Sequence, residues 1–135
     1  MNCYDAFKKH LDEKEIRYDE LDGYAIGIST STDVINSVRI IVGFGEADSV
    51  RPWIKSWSIG TFEGDKYGKA LVVCNSMNDK FRWAKFFLNS DKDVVVQEDA
   101  VVEEATAGEE LFELIVRMLN IMDEAYPEFM KARWA

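Results

Sequence analysis

The residues that most often carry enzymatic chemistry are few in this sequence and stand far apart. The single histidine, His10, lies in a segment of helical spacing, without a serine, cysteine or second histidine placed for catalysis or zinc binding. We therefore predict that His10 is a surface residue. Cys3 and Cys74 lack a nearby base that would generate a thiolate. We interpret both as reduced, buried, small hydrophobic residues, with a disulfide as the less favoured alternative.

Two further stretches partly match ligand-binding motifs. GFGEAD, residues 43–48, follows a predicted strand as a dinucleotide-binding loop does, but the third glycine and the phosphate-binding helix are missing. Asn89, Asp91 and Asp93 have the first spacings of a calcium loop, whose sixth and twelfth positions here lack the required glycine and glutamate. We interpret both stretches as turns and predict no cofactor and no metal.

Carboxylates are concentrated before and within the first turn of the last predicted helix. An anionic side chain near a helix N-terminus interacts favourably with the helix dipole, so a structural role is sufficient for them. No pair can be singled out for acid–base catalysis, and we predict no catalytic residue. The carboxylates are Glu98, Asp99, Glu103, Glu104, Glu109, Glu110 and Glu113.

Tryptophans are the strongest candidates for binding. Trp53 and Trp57 lie on the same face of a predicted strand, with Lys55 between them. If that face meets helices, both tryptophans belong to the core, which is the favoured interpretation; if it is open, it presents aromatic side chains to a partner. Trp134, near the C-terminus, is a further candidate for docking onto a neighbour.

Composition limits the classes of partner. The 135 residues suit one domain, and 47% hydrophobic residues with 13% aromatics provide for a core and argue against disorder. A formal charge of −9 disfavours nucleic acid and anionic membrane surfaces, because both attract cationic proteins. The sequence shows no secretory leader and no apolar run long enough to span a membrane, so we predict a cytoplasmic protein.

Periodicity predicts a helix, three strands, a helix, two strands and a long helix. Such a block of strands with helices around it indicates an α+β fold: one two-layer domain over residues 1–135, with a mainly antiparallel five-stranded sheet and helices on one face. The predicted helices cover residues 3–15, 64–78 and 106 onward; the predicted strands cover 24–28, 37–44, 50–62, 83–88 and 94–96.

Several residues are predicted to end helices or turn the chain. Asn2 or Asp5 can cap the first helix, and Thr106 with Glu109 fits a capping box at the last helix. Pro127 is expected to kink or stop that last helix. Asn75 and Asn78 are expected to close the middle helix, so that the crowded stretch from Asn75 to Phe87 forms a helix-to-strand corner.

Five stretches of this chain resemble the YbjN family, the group labelled "putative bacterial sensory transduction regulator". The similarity extends over most of the chain, although its motifs consist of ordinary fold residues and include no catalytic ones. The stretches are AFKKHLDEKEIRYDE, VVCNSMN, FRWAKFFLN, SDKDVVVQEDAVV and GEELFELIVRMLNIMDEAYPEFMKA. The resemblance implies a fold similar to that of type III secretion chaperones, which are small, acidic, often dimeric proteins that bind extended segments of a client.

We therefore expect a non-enzymatic protein-binding or regulatory module with a chaperone-like mode, assembled as a homodimer. The alternative is a small-ligand sensor with an aromatic-lined pocket between sheet and helices. The partner-binding candidates are Trp53, Lys55, Trp57 and Trp134.

Overall fold

A computed structural model describes residues 1–135 and contains three helices and six strands. None of the three helices combines the length and the apolar character that crossing a membrane requires. In chain order the elements are α1 (Cys3–Glu13), β1 (Asp19–Leu21), β2 (Ala25–Thr30), β3 (Val38–Gly43), β4 (Trp53–Ser56), α2 (Asp65–Lys80), β5 (Lys85–Leu88), β6 (Val94–Asp99) and α3 (Ala107–Trp134).

The strands form one antiparallel sheet in the order β1-β2-β3-β4-β6-β5. The predicted α+β class is confirmed, but the prediction of five strands was wrong, because it missed β1. All three residues of β1 are exposed, so the strand carries no hydrophobic alternation. A turn with positive φ at Gly23 (77°) and Tyr24 (56°) brings Leu21 opposite Ala25 and closes the hairpin.

The fourth strand is much shorter than the predicted run of residues 50–62. It ends at Ser56, where the backbone N–H of Ser58 donates to the Ser56 hydroxyl and the chain turns. The predicted period-two alternation stops there. Ile59, which a strand continuing to residue 62 would place on the same face as Trp53, is therefore buried in the core instead.

One hydrophobic core fills the space between the sheet and the helices. Alternate residues of the central strands, such as Ile26, Val42 and Ile54, pack with the apolar stripes of the helices. In α1 the buried residues are Cys3, Tyr4, Phe7 and Leu11, as predicted. Phe129 of α3 lies 5.8 Å, centroid to centroid, from the rings of both Phe62 and Phe86, so α3 packs against both halves of the chain.

The helix ends confirm one prediction and correct two. The Asn2 side chain caps α1 by accepting from the N–H of Asp5 at 2.8 Å. Thr106 precedes α3 but its side chain makes no capping hydrogen bond, because its ψ of −6° is far from the extended backbone that a capping residue adopts. Pro127 does not stop α3, which continues to Trp134.

The end of α3 is held after Pro127 by contacts from other parts of the chain. The Arg133 guanidinium donates to the Thr61 carbonyl at 2.6 Å and lies 4.3 Å from the centroid of the Phe62 ring. Lys69 of α2 donates to the Ala135 carbonyl at 3.1 Å. These contacts offset the backbone hydrogen bond that proline removes.

His10, which was predicted to be a surface residue, is only partly exposed. His10 lies where α1 crosses α3, and its ring centroid is 5.7 Å from that of Phe112. A Cβ atom on Gly108 would stand 2.6 Å from the His10 Cβ, so glycine permits the close approach of the helices. The His10 Nε2 atom is buried there without a hydrogen-bond partner.

A side chain of α2 covers the backbone of the edge strand β5. The Asn78 amide donates to the Phe86 carbonyl at 2.9 Å, and its oxygen accepts from the Phe86 N–H at 2.7 Å. The prediction that Asn78 closes α2 was therefore wrong, because the helix continues to Lys80. It instead satisfies two groups that an edge strand leaves unpaired, which fixes the helix-to-strand corner.

We predict that Asn78→Leu lowers the free energy of unfolding by about 2 kcal/mol, because each of the two hydrogen bonds is worth ~0.5–1.5 kcal/mol. Urea denaturation checks this. Asn75→Leu is the matched control: Asn75 is an exposed asparagine of the same helix and should change stability by less than about 0.5 kcal/mol. Loss of partner binding by Asn78→Leu at unchanged stability would contradict the structural role.

Candidate functional site

The predicted site residues Trp53 and Lys55 lie on the face of the sheet opposite the helices, which we call the open face. Ile54 and Ser56, which alternate with them, point to the helices and are fully buried. The favoured interpretation of Trp53 and Trp57 as core residues was therefore wrong, since no layer covers this face and Trp57 is 38% exposed. The strand register places Lys55 between Ile41 and Gln97 on the open face.

Long side chains of the open face lie flat on glycines. A Cβ atom on Gly43 would be 2.3 Å from the ring of Trp53, so the indole rests directly on the Gly43 backbone. The Lys55 ammonium stands 4.4 Å from the centroid of that ring, a cation–π contact. Trp53 is therefore half-buried, even though no helix covers it.

The other two predicted residues differ in their surroundings. Trp57 follows β4 and is 38% exposed. On the open face, Phe87 of β5 pairs with Val95 of β6. Val95 is buried although it lies outside the main core. Trp134 is 79% exposed at the end of α3, beside the chain terminus that Lys69 holds. The structure therefore groups Trp53, Lys55 and Trp57 by β4 and leaves Trp134 in a separate region.

A second candidate surface is a groove that the sequence did not indicate. It has a volume of about 370 Å³ and lies between the corner before β5, the segment after β6, and α3. We call it the Trp83 groove. Its apolar lining residues are Trp83, Ala100, Val101, Val102 and Leu114, and its charged ones are Asp99, Glu110, Glu113 and Arg117.

Trp83 has an unusual backbone conformation. Its φ is +83°, a left-handed value that is rare for a bulky residue, and its side chain is 56% exposed. The Arg117 guanidinium stands 5.8 Å from the ring centroid and is paired with Glu113 at 2.9 Å. Strained residues with exposed side chains cluster at binding sites, which makes Trp83 a functional candidate.

A buried carboxyl lies next to this groove. Glu98 of β6 precedes Asp99 and is 1% exposed, and neither of its carboxyl oxygens has a hydrogen-bond partner. Burial raises the pKa of Glu98 to about 7, with the Arg117 charge opposing the shift. The carboxyl is therefore partly protonated near neutral pH, which is unusual for a glutamate.

The remaining motif residues have structural surroundings. The Asn89 side chain accepts from the N–H groups of Asp91 and Asp93 at 3.0 Å, a local turn as predicted. No group of three or more His, Cys, Asp or Glu side chains is arranged to hold a metal ion. Cys3 and Cys74 are free and buried, and burial raises the pKa of the Cys74 thiol to about 11. The chain from Phe44 to Pro52 contains no helix.

Sequence reasoning missed Trp83 because it placed this residue inside a strand, whereas β5 begins only at Lys85. No local signal marks a positive φ at tryptophan. Glu98 had a signal: in β6 it shares the period-two face of Val94 and Val96, which are both buried. The overall acidity of the following segment obscured that alternation.

Comparison with known proteins yields a family and a fold. The model of the YbjN family, described as "Putative bacterial sensory transduction regulator", matches residues 5–131. The chain is also similar to the crystal structure of YbjN from E. coli, described there as "a putative transcription regulator". The TM-score is 0.71 with 11% identity, over 96% of this chain and 92% of that one. No curated protein sequence matches.

We predict that Glu98 makes the protein less stable as pH rises. Below pH 4.5 the group is protonated in both states; between pH 4.5 and about 7 the unfolded state ionises first, which stabilises the unfolded chain. The loss amounts to about 3 kcal/mol, at ~1.4 kcal/mol per pKa unit. Glu98→Gln should remove this loss in urea denaturation across pH 4.5–8.

The exposed Glu109 provides the control, since Glu109→Gln should keep the full pH dependence of the wild type. An unchanged pH dependence in Glu98→Gln would show that the Glu98 carboxyl is solvated in the native state.

Proposed function

Because the chain belongs to the YbjN family, we propose that it is a non-enzymatic regulatory protein that acts by binding other proteins. The family is described as regulatory, and the surroundings of the chemically reactive residues support a non-enzymatic role. The Cys74 thiol is buried with its pKa raised to about 11, so it is a poor nucleophile at neutral pH. The His10 Nε2 atom is buried between two helices, so this nitrogen is not exposed to a substrate.

The observation that carries the proposal is the open face of the sheet. Trp53 is half-buried on this face, Trp57 follows directly after β4 and is exposed, and Phe87, which pairs with the buried Val95, is partly exposed. A sheet face that is covered by no layer and contains aromatic side chains is typical of a protein-binding surface. Chaperone-like binding of an extended client segment, which the family resemblance suggested, would use the same surface.

The charge of the open face favours a second copy of this chain as one of its partners. The chain carries a formal charge of −9, so two copies repel each other over most of their surface. On the open face, however, the strand register brings together three cations and two carboxylates, and Asp19 is already paired with Arg39 at 2.8 Å. The charged residues are Arg39, Lys55, Lys85, Asp19 and Asp99. We therefore propose a homodimer that associates through this face.

The alternative of a small-ligand sensor has no observation in its favour. Its pocket was expected between sheet and helices, and that space is occupied by the core, in which Phe129 packs against both Phe62 and Phe86. Two large cavities, of about 840 and 620 Å³, are open grooves at the surface. The cytoplasmic location remains part of the proposal.

We predict that Trp57→Asp converts the dimer to a monomer in size-exclusion chromatography with light scattering. A carboxylate at this position removes an apolar contact and adds a negative charge in each copy, at the point where two acidic chains must meet. The wild-type protein should elute with twice the mass of one chain.

The matched control is Trp134→Asp, which makes the same change at a tryptophan outside the open face that is 79% exposed, against 38% for Trp57. This variant should remain a dimer. A wild-type protein that is monomeric at every concentration, or a Trp57→Asp variant that stays dimeric, would refute the proposed interface.

A further inference from the structure

The Trp83 groove adjoins the open face, with which it shares Asp99, and we propose that it binds a segment of a partner protein that carries an apolar side chain next to lysine or arginine. This inference rests on the proposed role in protein binding and specifies the partner's chemistry. The groove is formed by the corner before β5, the segment from Asp99 to Val102, and α3.

The apolar part of the proposal rests on two side chains that face the same groove. Trp83 is 56% exposed and Val101 is 80% exposed, and both line the groove. Exposed apolar residues that occur singly are common, whereas adjoining ones mark a contact site. The volume of about 370 Å³ is at the lower end for ligand pockets, so one inserted side chain fits it better than a folded domain does.

Both walls of the groove are held by hydrogen bonds to the backbone. The N–H groups of Ala100 and Val102 donate to the carbonyls of Pro52 and Val50 at 3.0 and 2.9 Å, which fixes Val101 between them. On the other side, the two bonds between Asn78 and Phe86 fix the corner that precedes β5. A groove with fixed walls loses little conformational entropy when a partner binds.

The charges around the groove select a cationic partner. Arg117 is its single cation and is already paired with Glu113 at 2.9 Å. Asp99 and Glu110 have no cationic partner in the structure. A lysine or arginine of the partner would complement these two carboxylates, whereas a phosphate or an acidic peptide would be repelled.

The surroundings of Trp83 also orient the segment. A second depression is lined by Lys80, Arg82 and Asn120, and it shares Trp83 and Arg117 with the groove. This neighbouring depression is basic, whereas three of the four charged residues of the groove are acidic. The basic residue of the partner should lie on the side of Asp99 and Glu110.

Selection from a random peptide library tests this inference without a known partner. A phage-displayed library is panned on the wild-type protein, and enriched peptides are synthesised with a fluorescent label for anisotropy titrations. We expect them to contain an apolar residue beside lysine or arginine. Trp83→Ala should weaken their binding at least tenfold and Val101→Ser several-fold, with unfolding temperatures close to that of the wild type, because both side chains are exposed.

Of two further variants, the first tests the contribution of charge to binding and the second tests whether the open face takes part in it. Glu110→Gln should weaken binding and reduce its dependence on salt, since one ionic contact is lost. Trp57→Ala should leave binding within about twofold of the wild type. Enriched peptides that bind Trp83→Ala and Val101→Ser as well as the wild type would overturn the groove proposal. Enriched acidic peptides would do the same.

The outcomes also distinguish this inference from the proposed function. Peptides whose binding is lost in Trp57→Ala but kept in Trp83→Ala would sink the groove and leave the open face as the protein-binding surface. If no peptide were enriched on either surface, both the groove and the proposed protein-binding role would be contradicted.

Discussion

Two hydrogen bonds between the Asn78 side chain and the backbone of Phe86 fix the corner on which the candidate groove depends. They join the last turn of α2 to the edge strand β5 and satisfy backbone groups that would otherwise face solvent. The chain between these anchors is only a few residues long and must reverse direction. Trp83, in the middle of it, adopts a left-handed φ of +83° and is exposed as a consequence. The Asn78 amide therefore contributes both to the stability of the fold and to the exposed position of Trp83.

The two candidate surfaces differ in charge and in rigidity. On the open face, Trp53 and Arg39 lie flat on Gly43 and Gly27, so the sheet is partly covered by its own side chains. Its charge is close to balanced, which suits association of two acidic chains. The Trp83 groove is smaller, has fixed walls and contains unpaired carboxylates, which suits a cationic segment. A dimer that associates through the open face would leave the groove residues other than Asp99 free for a partner.

Features that repeat along the chain could be predicted from the sequence. The apolar stripe of α1 from Cys3 to Leu11, the Asn2 cap and the α+β class follow from helical and strand periodicity. The YbjN resemblance, now confirmed, came from the fold residues themselves. Strand β1 escaped prediction because an exposed edge strand has no buried face, and its position is set by the turn at Gly23 and Tyr24.

The candidate sites depend on tertiary contacts and could be predicted only in part. The pairing of Trp53 with Lys55 followed from strand alternation, but whether helices covered that face could not be read from the strand alone. His10 shows the same limit, since its burial depends on Gly108, which lies almost a hundred residues later in the chain. The Trp83 groove brings together three distant segments, each with an ordinary local sequence.

The most direct test of the account is an NMR titration of the wild-type protein with a lysine-containing peptide that carries one apolar side chain. The four tryptophans each give an indole N–H resonance, so the two surfaces can be observed separately in one spectrum. The account predicts that the Trp83 indole resonance and the amide resonances of residues 99–102 shift, while those of Trp53 and Trp57 do not. Shifts confined to Trp53 and Trp57 would contradict it.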